Sequence, residues 1–230
     1  MTNPQPLRIK EGRTELTTFH NTSDLTFIHP AYGPDTYANV GTAIEQAGLA
    51  RSTMAQTASL VYAAFNSSGR YSDEIKEIMK ERLLWAFTGN LYAPNKGVYI
   101  QDNPEIRDNM PFMEESDLAR RLEEGDEGVI YVPFGFKTGE MTPLELAKNA
   151  YVKALAGAEG AEKLAEVADK YKKNPYLWSL ESVKRPLTRV SALVSNRGLG
   201  DRLCIDGDNV GSNRLGYAFG VSKAGEASRA

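Results

Sequence analysis

Two histidines, one cysteine and a few carboxylate pairs are the residues from which chemistry could be built. His20 and His29 have eight residues between them. A zinc site would need a third ligand, and without cysteines nearby ordinary polar or capping roles are the better reading. Cys204 would be a nucleophile only beside a base. As the single cysteine it excludes an internal disulfide framework and a Cys-rich zinc site. Asp206-Gly207-Asp208-Asn209 has the oxygen-rich texture of a calcium loop but lacks the later carboxylate at calcium-loop spacing, so a polar turn is favoured. Glu114-Glu115 and Glu123-Glu124 read as a solvated helix face rather than a glycosidase pair. Lys170, Lys172, Lys173 and Arg185 read as charge at a helix C-terminus rather than a phosphate site. No Walker-type or dinucleotide glycine loop appears. No catalytic residue, no required metal and no cofactor is expected.

The elements that would hold these residues come from a chain of ordinary globular texture. Its 230 residues are 41% hydrophobic and 25% charged, enough to bury a real core. The net charge of −3 counts against a general nucleic-acid binder, which normally carries a basic excess. No run of 18 apolar residues occurs, so no membrane insertion is expected, and the start Met1-Thr2-Asn3-Pro4-Gln5-Pro6 shows no secretory h-region.

Residues 1–24, polar and rich in Pro, Thr and Asn, read as an arm, extended or disordered. Asp35-Thr36 caps a helix to about Ala47, Ser52 or Thr53 starts a second through Phe65, and Ser72-Asp73-Glu74 a third to Glu81. Strands follow at Arg82 to Gly89 and Gly97 to Asp102, with Asn90 to Lys96 as a loop. A short helix over Leu118–Glu124, a strand over Gly128–Phe134, a helix from Thr142-Pro143 to about Leu155 and another from Ala158 to Lys172 fill the middle. Thr188–Leu193, Arg202–Ile205 and Gly216–Val221 read as strands. Trp85, Phe87, Trp178 and Phe219 are assigned to core packing. Helices and strands do not alternate regularly, so an α+β class is expected.

The informative feature is an absence. From Arg185 to Ser222 there is no Lys, Glu, Gln, Met or Trp, although these five types supply 44 of the 230 residues. Proportional sampling would place about seven of them there. A segment rich in glycine, strands and turns disfavours some helix formers. It does not account for the missing Trp, nor for charge carried only by Arg and Asp. These five types are the ones that no NNC codon encodes. A segment randomised in its first two codon positions before a fixed C would show this gap.

The pattern Arg189-Val190-Ser191-Ala192-Leu193, a variable stretch, Arg202-Leu203, a second variable stretch and Gly216-Tyr217-Ala218-Phe219-Gly220-Val221 resembles the variable region of diversity-generating retroelement proteins, closest to the archaeal and archaeal-virus type. In that family a reverse transcriptase copies a template, mutates at adenines and replaces the 3′ end of the gene. The resemblance implies a C-type lectin fold, here an α+β domain over residues 25–222 with helices packed around a small twisted antiparallel sheet. It also implies an arm at 1–24, a variable region at about 194–215 and a tail at 223–230, with Leu177-Trp178-Ser179 as a leading strand. The expected function is non-enzymatic binding of varied partners, proteins or other surface ligands, displayed on a cell or virion surface.

Diversification requires a backbone that does not depend on the variable side chains. Val190, Ala192, Leu203, Ala218, Phe219 and Val221 can form the core. The expected binding positions are Val194, Ser195, Asn196, Arg197, Gly198, Leu199, Asp201, Cys204, Asp206, Asp208, Asn209, Val210, Ser212, Asn213, Arg214 and Leu215. Arg197 and Arg214 would be anchors, because a guanidinium binds carboxylates bidentately and stacks on aromatics. Two alternatives stand beside this reading. One is an enzyme resembling formylglycine-generating enzymes, which work with paired cysteines where this chain has one. The other is a fixed structural virion protein.

Overall fold

A computed structural model describes residues 8–10, 14–195 and 200–222. The chain runs through strands β1 (Arg8–Lys10), β2 (Glu15–His20) and β3 (Ser23–Asp35), helix α1 (Tyr37–Gln46), β4 (Ala50–Arg51), and helices α2 (Met54–Phe65) and α3 (Arg70–Glu81). It continues with β5 (Leu83–Ala93), β6 (Gly97–Asp102), the short pair β7 (Ile106–Arg107) and β8 (Met110–Pro111), α4 (Glu115–Glu123), β9 (Val129–Pro133) and β10 (Gly139–Glu140). Helices α5 (Pro143–Lys148) and α6 (Ala150–Ala168) precede the last strands, β11 (Tyr176–Trp178), β12 (Leu187–Val194), β13 (Cys204–Asn209) and β14 (Gly216–Val221).

The helix starts follow from their caps. Thr53 and Gln56 form a reciprocal capping box at α2, and Thr142 and Glu145 another at α5 with Pro143 in the first turn. Asn149 ends α5 and at once caps α6, its Oδ1 accepting from the backbone N–H groups of Tyr151 and Val152. The single helix expected from Thr142 to Leu155 is therefore two. Gly157, at φ 74°, kinks α6.

The expected C-type lectin fold, with helices around a small twisted antiparallel sheet, is not what forms. One mixed sheet of twelve strands runs β1-β2-β3-β14-β5-β12-β13-β11-β10, with β4 on β14 and β6 bridging β5 and β9. The pairs β14–β5 and β11–β13 are parallel and the rest antiparallel. Two segments enlarge the sheet. The described part of the expected arm joins its edge, with Leu16 on β2 fully buried. The loop expected at Asn90–Lys96 is mostly strand, because β5 continues to Ala93, pairing with β12 on one side and β6 on the other.

Alternation along β5 places the core on both faces. Leu84 and Ala86 join α2, α3 and α6 in the larger cluster, while Trp85 and Phe87 join Tyr37, Val40 and Ile44 of α1 on the opposite face. A third cluster seats Leu118 of α4 on Leu91, Ala93 and Tyr99. The C-terminal strands lie within this frame: Val190, Ala192, Leu203, Ala218, Phe219 and Val221 are all buried, and so are Ser191, Leu193 and Gly220 between them, because both faces of the sheet are covered.

Candidate binding surface

Strand β13 is held from behind by a buried polar network. Ser179 Oγ lies 2.9 Å from the Tyr92 hydroxyl, which donates to the Gly207 carbonyl at 2.9 Å. Tyr151 donates to Asn90 Oδ1 at 2.9 Å, and Asn90 Nδ2 donates to Ser191 Oγ at 2.8 Å. Both phenol protons then have an acceptor, so the tyrosines are satisfied in a consistent direction. Burial pushes the Tyr92 phenol up to about 12 and Tyr151 well above its ordinary value, so both stay protonated donors.

The loops that leave this strand are tethered through the main chain. The Tyr37 N–H donates to the Gly211 carbonyl at 3.0 Å, and Leu83 N–H to the Leu215 carbonyl at 3.4 Å. Ser195 N–H donates to Met79 O at 2.7 Å, and Tyr176 N–H to Leu203 O at 2.9 Å. None of these bonds uses a side chain of the C-terminal segment, so exchanging those side chains leaves the tethers in place.

Among the described residues the expected binding positions divide into three groups. Asp201, Val210, Ser212, Asn213, Arg214 and Leu215 are exposed. Val210, Ser212 and Arg214 line a cleft of about 470 Å³ with Thr36 and Asn39 of α1 and the Asp108-Asn109 turn. The Asp35 carboxylate, held low by the Thr36 N–H and the Asn39 amide, also feels the Arg214 charge. Asp206, Asp208 and Asn209 are half-buried. Asn209 Nδ2 donates to Asp206 Oδ2 at 2.8 Å, and its Oδ1 accepts from Gly211 N–H at 3.0 Å. Burial, and then the adjoining Asp208 carboxylate, push Asp206 up to about 7.

Val194, Ser195 and Cys204 are a correction. All three are buried, Ser195 and Cys204 completely, so none presents an exposed side chain, although Cys204 lines the cleft beside Trp178. Val194 and Cys204 pair across β12–β13, two strands flanked on both sides by β5 and β11, and so lie away from the sheet edge. Asn196, Arg197, Gly198 and Leu199 lie outside the described residues.

Trp178 is the residue that sequence reasoning misplaced. It is 40% exposed, whereas Trp85, Phe87 and Phe219 are buried as expected. The signal was available: Leu177 alternates inward on β11, which turns Tyr176 and Trp178 to the other face. Their rings pack 4.5 Å apart between centroids, tilted 40°. With Glu140, Arg202 and Cys204 they line a second cleft of about 280 Å³. Burial pushes the Cys204 thiol up to about 11, against the Arg202 charge that lowers it.

The histidines do not meet. His20 Nδ1 lies 2.9 Å from Ser59 Oγ, and His29 Nε2 lies 2.9 Å from Glu74 Oε2. Among the described residues no group of three or more His, Cys, Asp or Glu could hold a metal ion. No helix among them is long and apolar enough to cross a membrane.

No family model, no curated protein and no solved structure matches this chain.

Proposed function

We propose that this chain is a ligand-binding display protein whose C-terminal surface is diversified by a retroelement. The observation that carries this is the stretch from Arg185 to Ser222 without any of the five residue types that NNC codons cannot encode. The reading rests on that composition and on surface placement, not on a lectin-type fold. Main-chain tethers at Gly211 and Leu215 support it, because they hold the displayed loop whatever side chains it carries. The buried position of Cys204 and its raised thiol favour packing over nucleophilic chemistry.

A library with NNC codons at Asp201, Val210, Ser212, Asn213, Arg214 and Leu215 tests the display function. Most members should fold, with thermal midpoints within a few degrees of the parent, and selection on unrelated protein baits should yield binders. A library in which most members unfold would contradict the proposal.

A further inference from the structure

The cleft under Trp178 has a composition that the diversified loop does not share. Trp178 presents an exposed aromatic face, backed by Tyr176. Cys204 lines the cleft beside the ring, its thiol directed to the Arg202 carbonyl at 3.9 Å. At the rim Arg202 Nη1 donates to Glu140 Oε2 at 2.6 Å, and Asn174 Nδ2 to Glu140 Oε1 at 3.4 Å. The Arg202 Nε atom is buried and has no hydrogen-bond partner. One wall is therefore flat and apolar, and one rim carries donors and acceptors in a pair of zero net charge.

We propose that this cleft, between β10, β11 and the start of β13, binds one ring of a neutral saccharide, stacked on Trp178 and hydrogen-bonded to the Glu140–Arg202 pair. A pyranose ring has a C–H face that packs on an aromatic surface and equatorial hydroxyls that both donate and accept. A carboxylate beside a guanidinium matches those hydroxyls, because one supplies only acceptors and the other only donors. The charge balance argues against an ion, which would have to break the Glu140–Arg202 pair to be held. The volume of about 280 Å³ suits one ring with its hydroxyls. Tyr176, Trp178 and Glu140 precede the segment that lacks the five residue types, and Arg202 is not among the expected binding positions. Of the lining residues only Cys204 is an expected binding position, and it is buried, so the groups offered to the sugar are a fixed feature beside the diversified surface. Its failure would leave the display proposal untouched, since that is decided on the coding DNA and the loop library.

Intrinsic fluorescence reads the cleft, because of the two tryptophans Trp85 is buried and Trp178 is exposed. The full chain is titrated with maltotriose, cellotriose, mannotriose and chitotriose, each to about 20 mM, a range that covers millimolar affinities. At least one should give a saturable emission change. Calorimetry with that trisaccharide should show binding weakened about tenfold or more in Trp178→Ala and in Glu140→Gln, as expected for losing a stacking wall or a charge-assisted hydrogen bond. Glu140→Gln changes an exposed side chain and keeps the test readable should Trp178→Ala fail to fold. No saturable change with any of the four sugars overturns the proposal. Affinity retained in Glu140→Gln overturns it, as does saturation by N-acetyl-lysine amide in place of the sugars.

Discussion

Gly207 lies directly against Tyr151: a Cβ at position 207 would overlap the Tyr151 hydroxyl oxygen. The same glycine offers its carbonyl to Tyr92, so the strand carrying Asp206 and Asp208 is pinned by main chain rather than by its outward side chains. Gly207→Ala forces a methyl group into a filled polar core, and its cost should be about 1–3 kcal/mol, read from denaturant melts. A neutral effect would mean that β13 is not seated on Tyr151.

The loop beyond β13 should behave in the opposite way at most of its positions. Ser212→Ala and Arg214→Ala should each shift stability by about 0.5 kcal/mol or less, because both side chains are exposed and the tethers at Gly211 and Leu215 are backbone. Asn209→Ala should cost about 1 kcal/mol or more, since it removes the bonds to Asp206 and to the Gly211 N–H. Equal effects at all three positions would show that the loop is not held as described.

Capping residues made most helices legible in the sequence. Thr53 and Thr142 mark their starts correctly because a side-chain oxygen close in sequence satisfies the first free N–H groups. Asn149 hid a break because it is a cap in the middle of an apparently continuous helical pattern. The size of the sheet was not legible. Asn90 looks like a loop residue until Ser191 and Tyr151, far along the chain, satisfy its amide inside the core. The pairing of β14 with β3 and β5 is likewise a long-range fact with no local signature. At the binding surface, Val210 to Leu215 could be read as outward-facing from polarity and turn residues. The burial of Ser195 could not, because it comes with a main-chain bond to Met79, far back in the chain, that leaves no local mark on a serine.

Cys204 should be chemically silent in the folded protein. A buried thiol pushed up to about 11 holds almost no thiolate near neutral pH. Ellman's reagent should leave it unlabelled at pH 7.5 and label it fully once guanidinium unfolds the chain. Rapid labelling of the native protein would contradict its placement under Trp178.

Asp206 should make stability fall as pH rises. Its carboxyl holds a proton up to about 7 when folded, while in the unfolded chain it loses that proton near the ordinary value of about 4. Between those pH values the folded state binds more protons than the unfolded one, so stability drops through that window, and the full cost is present above it. Asp206→Asn should remove this slope and melt higher than the parent at pH 8. An unchanged pH profile would show that the carboxyl is not held protonated.

The most direct test of diversification is the DNA sequence of the gene's 3′ end and the region following it. The predicted result is NNC codons at Asp201, Asp208, Val210, Ser212, Asn213, Arg214 and Leu215. A near-repeat of the same stretch should lie nearby, beside a reverse-transcriptase gene, and differ from it at adenines. Mixed third bases at those codons, with neither repeat nor reverse transcriptase, would contradict it.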